Sequence, residues 1–323
     1  MNNLKKVGLT ALAGSLVVTS AVAGEMSVSG GASIGLKNTT KSSTGKSWTM
    51  GNQLTFSGSG ELDNGMNVSL SFVLDQGDDA GNTTAADDNA GAPFDSHSVT
   101  VSSDSLGTLV FSGEGGSSAA SALDTTAAGD LWDNGSGFGS PLASEAGDNS
   151  MLYTLPSLMD DLTLKAGYSP GSAGGASATS ISATYSGVEG LTASYAQGDT
   201  ETIGSEAEQT VMKASYAYGS FTLGISRNDY SYDLASQNDE EVDSWQIAYT
   251  VSDDLSVSYG SETRNTEGSA IDEEAEAINV SYTTGGVTLS ATSYEFSGRN
   301  NTNTESATGG DTERWALSAT FAF

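Results

Sequence analysis

Residues 66–74 read Met-Asn-Val-Ser-Leu-Ser-Phe-Val-Leu, which sets Met66, Val68, Leu70, Phe72 and Leu74 on one parity and Asn67, Ser69 and Ser71 on the other. Successive side chains of a strand point to opposite faces, so this stretch is a strand with one apolar face. The end of the chain repeats the pattern, with Trp315, Leu317, Ala319, Phe321 and Phe323 alternating with Ala316, Ser318, Thr320 and Ala322. Weaker copies run between them: Leu162/Leu164/Ala166/Tyr168, Ile181/Ala183/Tyr185, Leu191/Ala193/Tyr195, Phe221/Leu223/Ile225, Leu255/Val257/Tyr259 and Ile278/Val280/Tyr282. Nothing comparable has helical spacing.

The segments joining these strands alternate between two lengths. Short ones centre on Asp63-Asn64-Gly65, Asp104 to Gly107, Ser157 to Asp161, Gly187 to Gly190, Gly219-Ser220, Ser252 to Asp254 and Gly285-Gly286. Each offers the positive-φ or Asx chemistry of a tight turn. Between them lie longer polar stretches near 38–47, 76–96, 114–147, 170–177, 199–208, 231–241, 265–275 and 299–311. Seven short turns and eight long loops join sixteen strands. An even number of antiparallel strands, short-turned on one side and long-looped on the other, predicts an all-β, 16-stranded antiparallel transmembrane β-barrel.

Composition agrees and narrows the function. The 323 residues carry 41 acidic and 11 basic side chains, one His and no Cys. Phosphate would be repelled, so nucleic acid is not a partner. Zinc clusters, disulfide frameworks and thiol nucleophiles lack their residues. Past the extreme N-terminus no apolar run approaches the roughly 18 to 20 residues of a membrane-spanning helix. At the N-terminus, Lys5 and Lys6 precede a short apolar stretch, Val7 to Val18, and Ala21-Val22-Ala23 supplies the small residues of a cleavage site. Residues 1–23 are therefore expected to be a signal peptide and 24–323 the barrel domain. Its removal leaves 9 basic residues and a formal charge of −32.

The acids concentrate in the long stretches and beside the short turns, leaving Glu25, Asp75 and Glu295 for the strands and the mature start. A band facing lipid has to be cleared of charge, since Arg or Lys at mid-bilayer costs about 2 to 4 kcal/mol and acids somewhat less. Lys37, Lys165 and Lys213 take the parity opposite the apolar set and are expected to point inward. Tyr168, Tyr185, Tyr195, Tyr216, Tyr259 and Tyr282 lie near strand ends, where interfacial girdles form.

One connection differs in kind. Residues 114–147 carry Trp132, Phe138 and Pro141 together with Asp124, Asp130, Asp133 and Glu145. Loops of this length are functional or disordered, and the aromatic content favours a packed one. A sixteen-stranded barrel encloses a lumen too wide to select solutes by itself. This third long loop, folded into the lumen, would set the pore size, with Asp124, Asp130, Asp133, Glu145 and Asp148 as the constriction acids.

With these residues in place, the chain resembles the general diffusion porins of Gram-negative outer membranes, particularly their alphaproteobacterial branch. The sharpest parts are the Trp315–Phe323 strand ending on Phe, Gly107-Thr-Leu-Val-Phe-Ser-Gly113 before the long loop, and Asp148-Asn-Ser-Met-Leu-Tyr-Thr-Leu-Pro156 after it. The last is similar to an Asn-Ser-x-x-Tyr-x-x-Pro motif that opens the sixth strand in that family. The resemblance implies a homotrimer in outer-membrane lipid, passive diffusion of small hydrophilic solutes, and recognition of terminal Phe323 by the barrel-assembly machinery. Family members commonly oppose the acidic loop with wall Arg or Lys from the early strands. Here Ser29 to Ala32, Asn52 to Leu54, Ser96 to Val99 and Ala146 to Asp148 hold no base, and residues 47–164 contain none at all. A cation preference is expected, since rings of Asp and Glu favour cations in narrow pores.

Catalysis would rest on His97 alone, near the start of the fourth strand and far from a nucleophile motif, so His97 is read as a polar lumen or rim residue and the chain as no enzyme. No cofactor is expected; Asp75, Asp78, Asp79, Asp87 and Asp88 offer weak Ca²⁺ ligands at most, without EF-hand spacing. A substrate-specific channel would want a track of stacked aromatics or a basic ladder, and neither is visible. A surface adhesin would suit the Gly, Ser and Thr content and the acidity, but has no need of a terminal Phe strand or a charge-cleared band.

Overall fold

A computed structural model describes residues 25–39, 46–75, 95–134, 148–171, 177–202, 205–234, 237–299 and 311–323. The expected signal peptide, Asp78, Asp79, Asp87, Asp88, Phe138 and Glu145 lie outside the described residues. Sixteen strands follow in order: β1 Met26–Thr39, β2 Lys46–Glu61, β3 Asn67–Asp75, β4 Ser96–Ser103, β5 Gly107–Glu114, β6 Ser150–Thr154, β7 Leu162–Ser169 and β8 Ser177–Val188. The second half comprises β9 Leu191–Thr202, β10 Ser205–Tyr218, β11 Phe221–Tyr232, β12 Glu240–Ser252, β13 Leu255–Thr266, β14 Glu273–Thr284, β15 Val287–Ser297 and β16 Thr312–Ala322. Each pairs antiparallel with its chain neighbours, and β1 pairs with β16, so the sheet is a closed barrel.

The alternation in the sequence decides which face is which. Leu70 sits opposite Val99, and Val99 opposite Phe111, and all three are exposed on the outside. Ile181, Met212, Ile225, Trp245 and Leu317 continue this exposed apolar face around the wall. The opposite parity carries Ser, Thr, Gly and amides; Ser180, Ser182, Gln209, Ser226 and Ser244 are buried. Apolar outward and polar inward is the reverse of a water-soluble sandwich and the arrangement a lipid solvent requires. At the first short turn, Leu62 N–H donates to Met66 C=O at 2.7 Å, Met66 N–H donates to Asn64 Oδ1 at 3.1 Å, and Gly65 takes a φ of 79°.

The seven short turns fall where expected, but the strands run further into the long stretches than the alternation suggested. Only residues 203 and 204 separate β9 from β10. Asp199, Glu201, Glu206 and Glu208 are therefore strand residues, with Glu206 opposite Glu201 and Glu208 opposite Asp199. Glu276, Glu295 and Glu313 likewise stand in one row across β14, β15 and β16. The reason is length. About 9 to 11 tilted residues cross the hydrocarbon, and β9 and β10 have 12 and 14. Their loop ends stand clear of the lipid, where carboxylates remain hydrated and alternation has no apolar side to display.

The barrel closes at its chain ends. Gly30 N–H donates to Phe323 C=O at 2.7 Å and Phe323 N–H returns to Gly30 C=O at 3.0 Å. The Phe323 ring then lies directly on Gly30, where an added Cβ would come within 2.4 Å of it. Gly30→Val should swing this exposed ring off the seam, at a cost below the roughly 1 to 3 kcal/mol of overpacking a core. The temperature at which the folded barrel loses its fast-migrating form in detergent gels should fall, and an unchanged temperature would show that the ring's seat contributes nothing.

Candidate functional site

Residues 117–134 leave β5 and lie along the inward-facing side chains of the wall. Ala119 N–H donates to Ser180 Oγ on β8 at 2.9 Å, Ala127 N–H to Ser226 Oγ on β11 at 2.8 Å, and Ala128 N–H to Ser244 Oγ on β12 at 2.9 Å. Wall amides take up the carbonyls: Gln246 Nε2 donates to Ala128 C=O at 3.3 Å and Asn228 Nδ2 to Asp124 C=O. Lys213 Nζ of β10 donates to Thr125 C=O at 2.5 Å. A loop without internal sheet or helix ladders has orphan backbone groups. Here Ser, Asn, Gln and Lys side chains on β8 and on β10 to β12 satisfy them.

The anchor of the arrangement is Glu262 on β13, buried to 2% exposure. Its Oε1 accepts from Thr126 Oγ1, and its Oε2 accepts from Trp132 N–H at 3.3 Å. Thr126 Oγ1 in turn accepts from Asp130 N–H at 2.8 Å, while Asp130 Oδ1 accepts from Thr126 N–H at 2.9 Å. This reciprocal pair closes a small turn with Asp130 in the left-handed region at φ 54°. Behind it, Leu131 and Trp132, in a 3-10 turn spanning Leu131–Asn134, pack against Val242, Ala275, Ala277 and Phe296. An apolar core thus lies between loop and wall, on the inside of the barrel.

Among the acids singled out from the sequence, Asp124 and Asp130 are brought together. Gln209 Nε2 donates to Asp124 Oδ2 at 3.4 Å. Burial lifts the Asp124 carboxyl to about 6; the Gln209 hydrogen bond works against this and the charge of Asp130 adds to it. Asp148 stands apart at the neck of the loop, where its Oδ1 accepts from Gly115 N–H at 3.1 Å. Asp133 is in the 3-10 turn and Glu145 lies outside the described residues.

The three lysines separate as well. Lys213 meets the loop, Lys165 shares the parity of buried Gly167 and Ser169 on β7, and Lys37 lies near Arg314 of β16. Arg314 adds an inward base that the lysine reading missed; its Nη1 donates to Asn134 C=O. Arg264 is a further one, between Glu240 at 3.1 Å and Glu273 at 3.6 Å. His97 is exposed at the start of β4, with its ring against Gly113 of β5.

A closed sixteen-stranded wall holding a pinned acidic segment is the setting for the comparison with known proteins. The family model described as Gram-negative porin matches residues 8–276. The chain belongs to this porin family. It is an outer-membrane β-barrel that forms a channel. Solved structures share the fold of this porin at low identity. The anion-selective porin from Comamonas acidovorans is 14% identical, with a TM-score of 0.67 over 93% of this chain and 100% of that one. The trimer form of OmpT, an outer membrane protein of Vibrio cholerae, is 13% identical with a TM-score of 0.66 over 93% and 100%. A mutant of Rh. blastica porin is 14% identical with a TM-score of 0.64 over the same shares. No curated protein matches the chain.

The anchoring residues Glu262, Gln209, Asn228, Ser226 and Gln246 were not singled out in the sequence. Their only signal is polar identity on the inward parity, which most porin wall residues share. One seat has a sharper signature. A Cβ added at Gly260 on β13 would come within 2.8 Å of the Ala128 Cβ, so the loop touches the wall where a side chain is missing. Gly260→Val should lift the segment away from β13 and weaken its contacts by about 1 to 3 kcal/mol. Single-channel conductance should rise in a variant that still folds as a barrel; equal conductance would place the narrowest point elsewhere.

Proposed function

We propose that this porin is a passive, cation-preferring channel for small hydrophilic solutes, in which residues 117–134 narrow the lumen. The observation that carries the reading is the placement of Asp124 and Asp130 on a segment tied to β8, β10, β11, β12 and β13. Strands β2 to β6 are the other part of the wall, and residues 47–164 supply neither Lys nor Arg to it. Three of the inward bases serve as partners: Lys213 and Arg314 hold loop carbonyls, and Arg264 is bracketed by two carboxylates. The Comamonas porin is described as anion-selective. Selectivity follows the charges at the narrowest point and not the barrel around them, so that likeness carries no ion preference to this chain.

Homotrimeric assembly is supported by the trimer form of a protein with the same fold. Phe323 is proposed as the residue read by the barrel-assembly machinery, in keeping with its exposed ring at the β1–β16 seam. Nothing in this reading asks for a catalytic group or a cofactor.

Two measurements test the preference. Reversal potentials in a KCl gradient should show cation selectivity that survives from about 0.1 M to 1 M salt, because charges within a few Å are poorly screened even when the Debye length drops to about 3 Å. Asp130→Asn with Asp133→Asn should lower the cation/anion ratio. Anion preference in the unaltered protein, or a ratio untouched by neutralising Asp124, Asp130, Asp133, Glu145 and Asp148 together, would overturn it.

The second measurement uses pH. With a carboxyl raised to about 6, Asp124 is ionised at neutral pH and loses its charge as the pH falls through that value. The cation/anion ratio should therefore step down between about pH 7 and pH 5, and Asp124→Asn should shrink that step. The same shift has a stability sign. A carboxyl raised above its unfolded value favours the folded state at low pH, and that contribution is lost as the pH rises through 6.

A further inference from the structure

Below the seat of the loop, the wall of β12 to β15 leaves a cavity of about 280 Å³. The paired residues Gly260 and Ala277 form its small-residue floor, with Gln246 on one flank and Tyr294 on the other. In the next row down, Ser258 pairs with Asn279 and Asn279 with Thr292. The loop roofs it with Ala128, Gly129, Leu131 and Asn134. Among the described residues no charged side chain lines it, in a chain that carries 41 acids.

Hydrogen-bond accounting gives the cavity a chemical preference. Gln246 uses its Nε2 on the Ala128 carbonyl, and Asn279 donates its Nδ2 to Thr292 Oγ1 at 2.6 Å. A side-chain amide has both donors and an acceptor oxygen, so each of these two leaves an oxygen for a donor from outside. The hydroxyls of Ser258 and Tyr294 adjust to either role. An anionic solute would meet only Arg314, already engaged on the Asn134 carbonyl and the Tyr294 ring, and a cationic one no carboxylate. An apolar solute would strip water from these half-buried acceptors and return no hydrogen bond. A solute bearing several O–H groups on a compact ring meets these requirements, with its C–H edges against Leu131 and Tyr294. Ligand pockets start at roughly 300 Å³, which limits the occupant to a single ring.

We propose that this recess is a transient binding site for neutral polyhydroxylated solutes of monosaccharide size, beside the narrow part of the channel. The inference rests on the reading of residues 117–134 as a segment inside an aqueous lumen. Weak, uncharged binding there would raise the local concentration of such solutes, and each bound solute would narrow the path left for ions beside it.

The test is open-channel current in planar bilayers with KCl and increasing glucose, against a polyethylene glycol of the same hydrodynamic size. Glucose should cause a saturable loss of current with added noise, while the polymer should act only through viscosity. In Asn279→Leu, which fills the recess and removes its acceptor, the half-blocking glucose concentration should rise about tenfold, a loss of 1.4 kcal/mol. Each variant is scored against its own glucose-free current. Should Asn279→Leu fail to fold, Asn279→Ala, which removes the acceptor without adding bulk, decides the point through a shift in the same direction. Equal, unsaturable effects of glucose and polymer on an open channel would overturn the binding site and leave the porin reading intact. A folded barrel that opens no channel in any solution would overturn the porin reading itself.

Discussion

Hydrocarbon offers no hydrogen-bond partner, so every backbone amide that crosses it must be paired within the wall. An open sheet would leave two unpaired edges, and the bond between β1 and β16 removes them. The rest of the molecule depends on that closure. It puts the terminal Phe323 beside Gly30 and fixes which parity meets lipid. It also creates an interior that no side chain of an early strand can reach across, which is why a long segment after β5 has work to do there.

That segment is stabilised in two ways that differ in kind. Burying the Leu131 and Trp132 side chains is worth about 1.5 to 3 kcal/mol each, and it needs only a smooth apolar seat such as Val242, Ala275 and Phe296 provide. The polar contacts contribute direction more than energy. Glu262 accepts from two groups of the segment at once, and a buried acceptor deprived of its donors costs about 1 to 3 kcal/mol, more if it is charged. The carboxylate therefore tolerates one loop geometry and penalises its neighbours.

Much of the fold was legible in the sequence because lipid makes alternation compulsory. Met66 to Leu74 and Trp315 to Phe323 show it with few exceptions, and the seven turns carry Gly or Asp where the chain must reverse. Legibility fails where the lipid ends. Asp199 to Glu208 read as a loop, yet all but residues 203 and 204 belong to a hairpin. Above the hydrocarbon both faces of a strand meet water, and the pattern that announces a strand loses its cause. The candidate site was legible in part for a related reason. Asp124 and Asp130 stand out because they lie in a long loop with Trp132. Glu262, which holds them in place, looks like one more acid at a loop edge until the register of β13 turns it inward.

The empty position at Gly260 has a consequence for how such channels change. Because side chains alternate strictly, a slip of one residue in β13 would carry Glu262 to the lipid side and replace the vacancy under Ala128 with a serine or a tyrosine. The opening is thus written in the alignment of the staves more than in the insert that spans them. A descendant chain can vary the exposed acids of the insert freely and retune its traffic, while the strand that seats it is confined to a single frame.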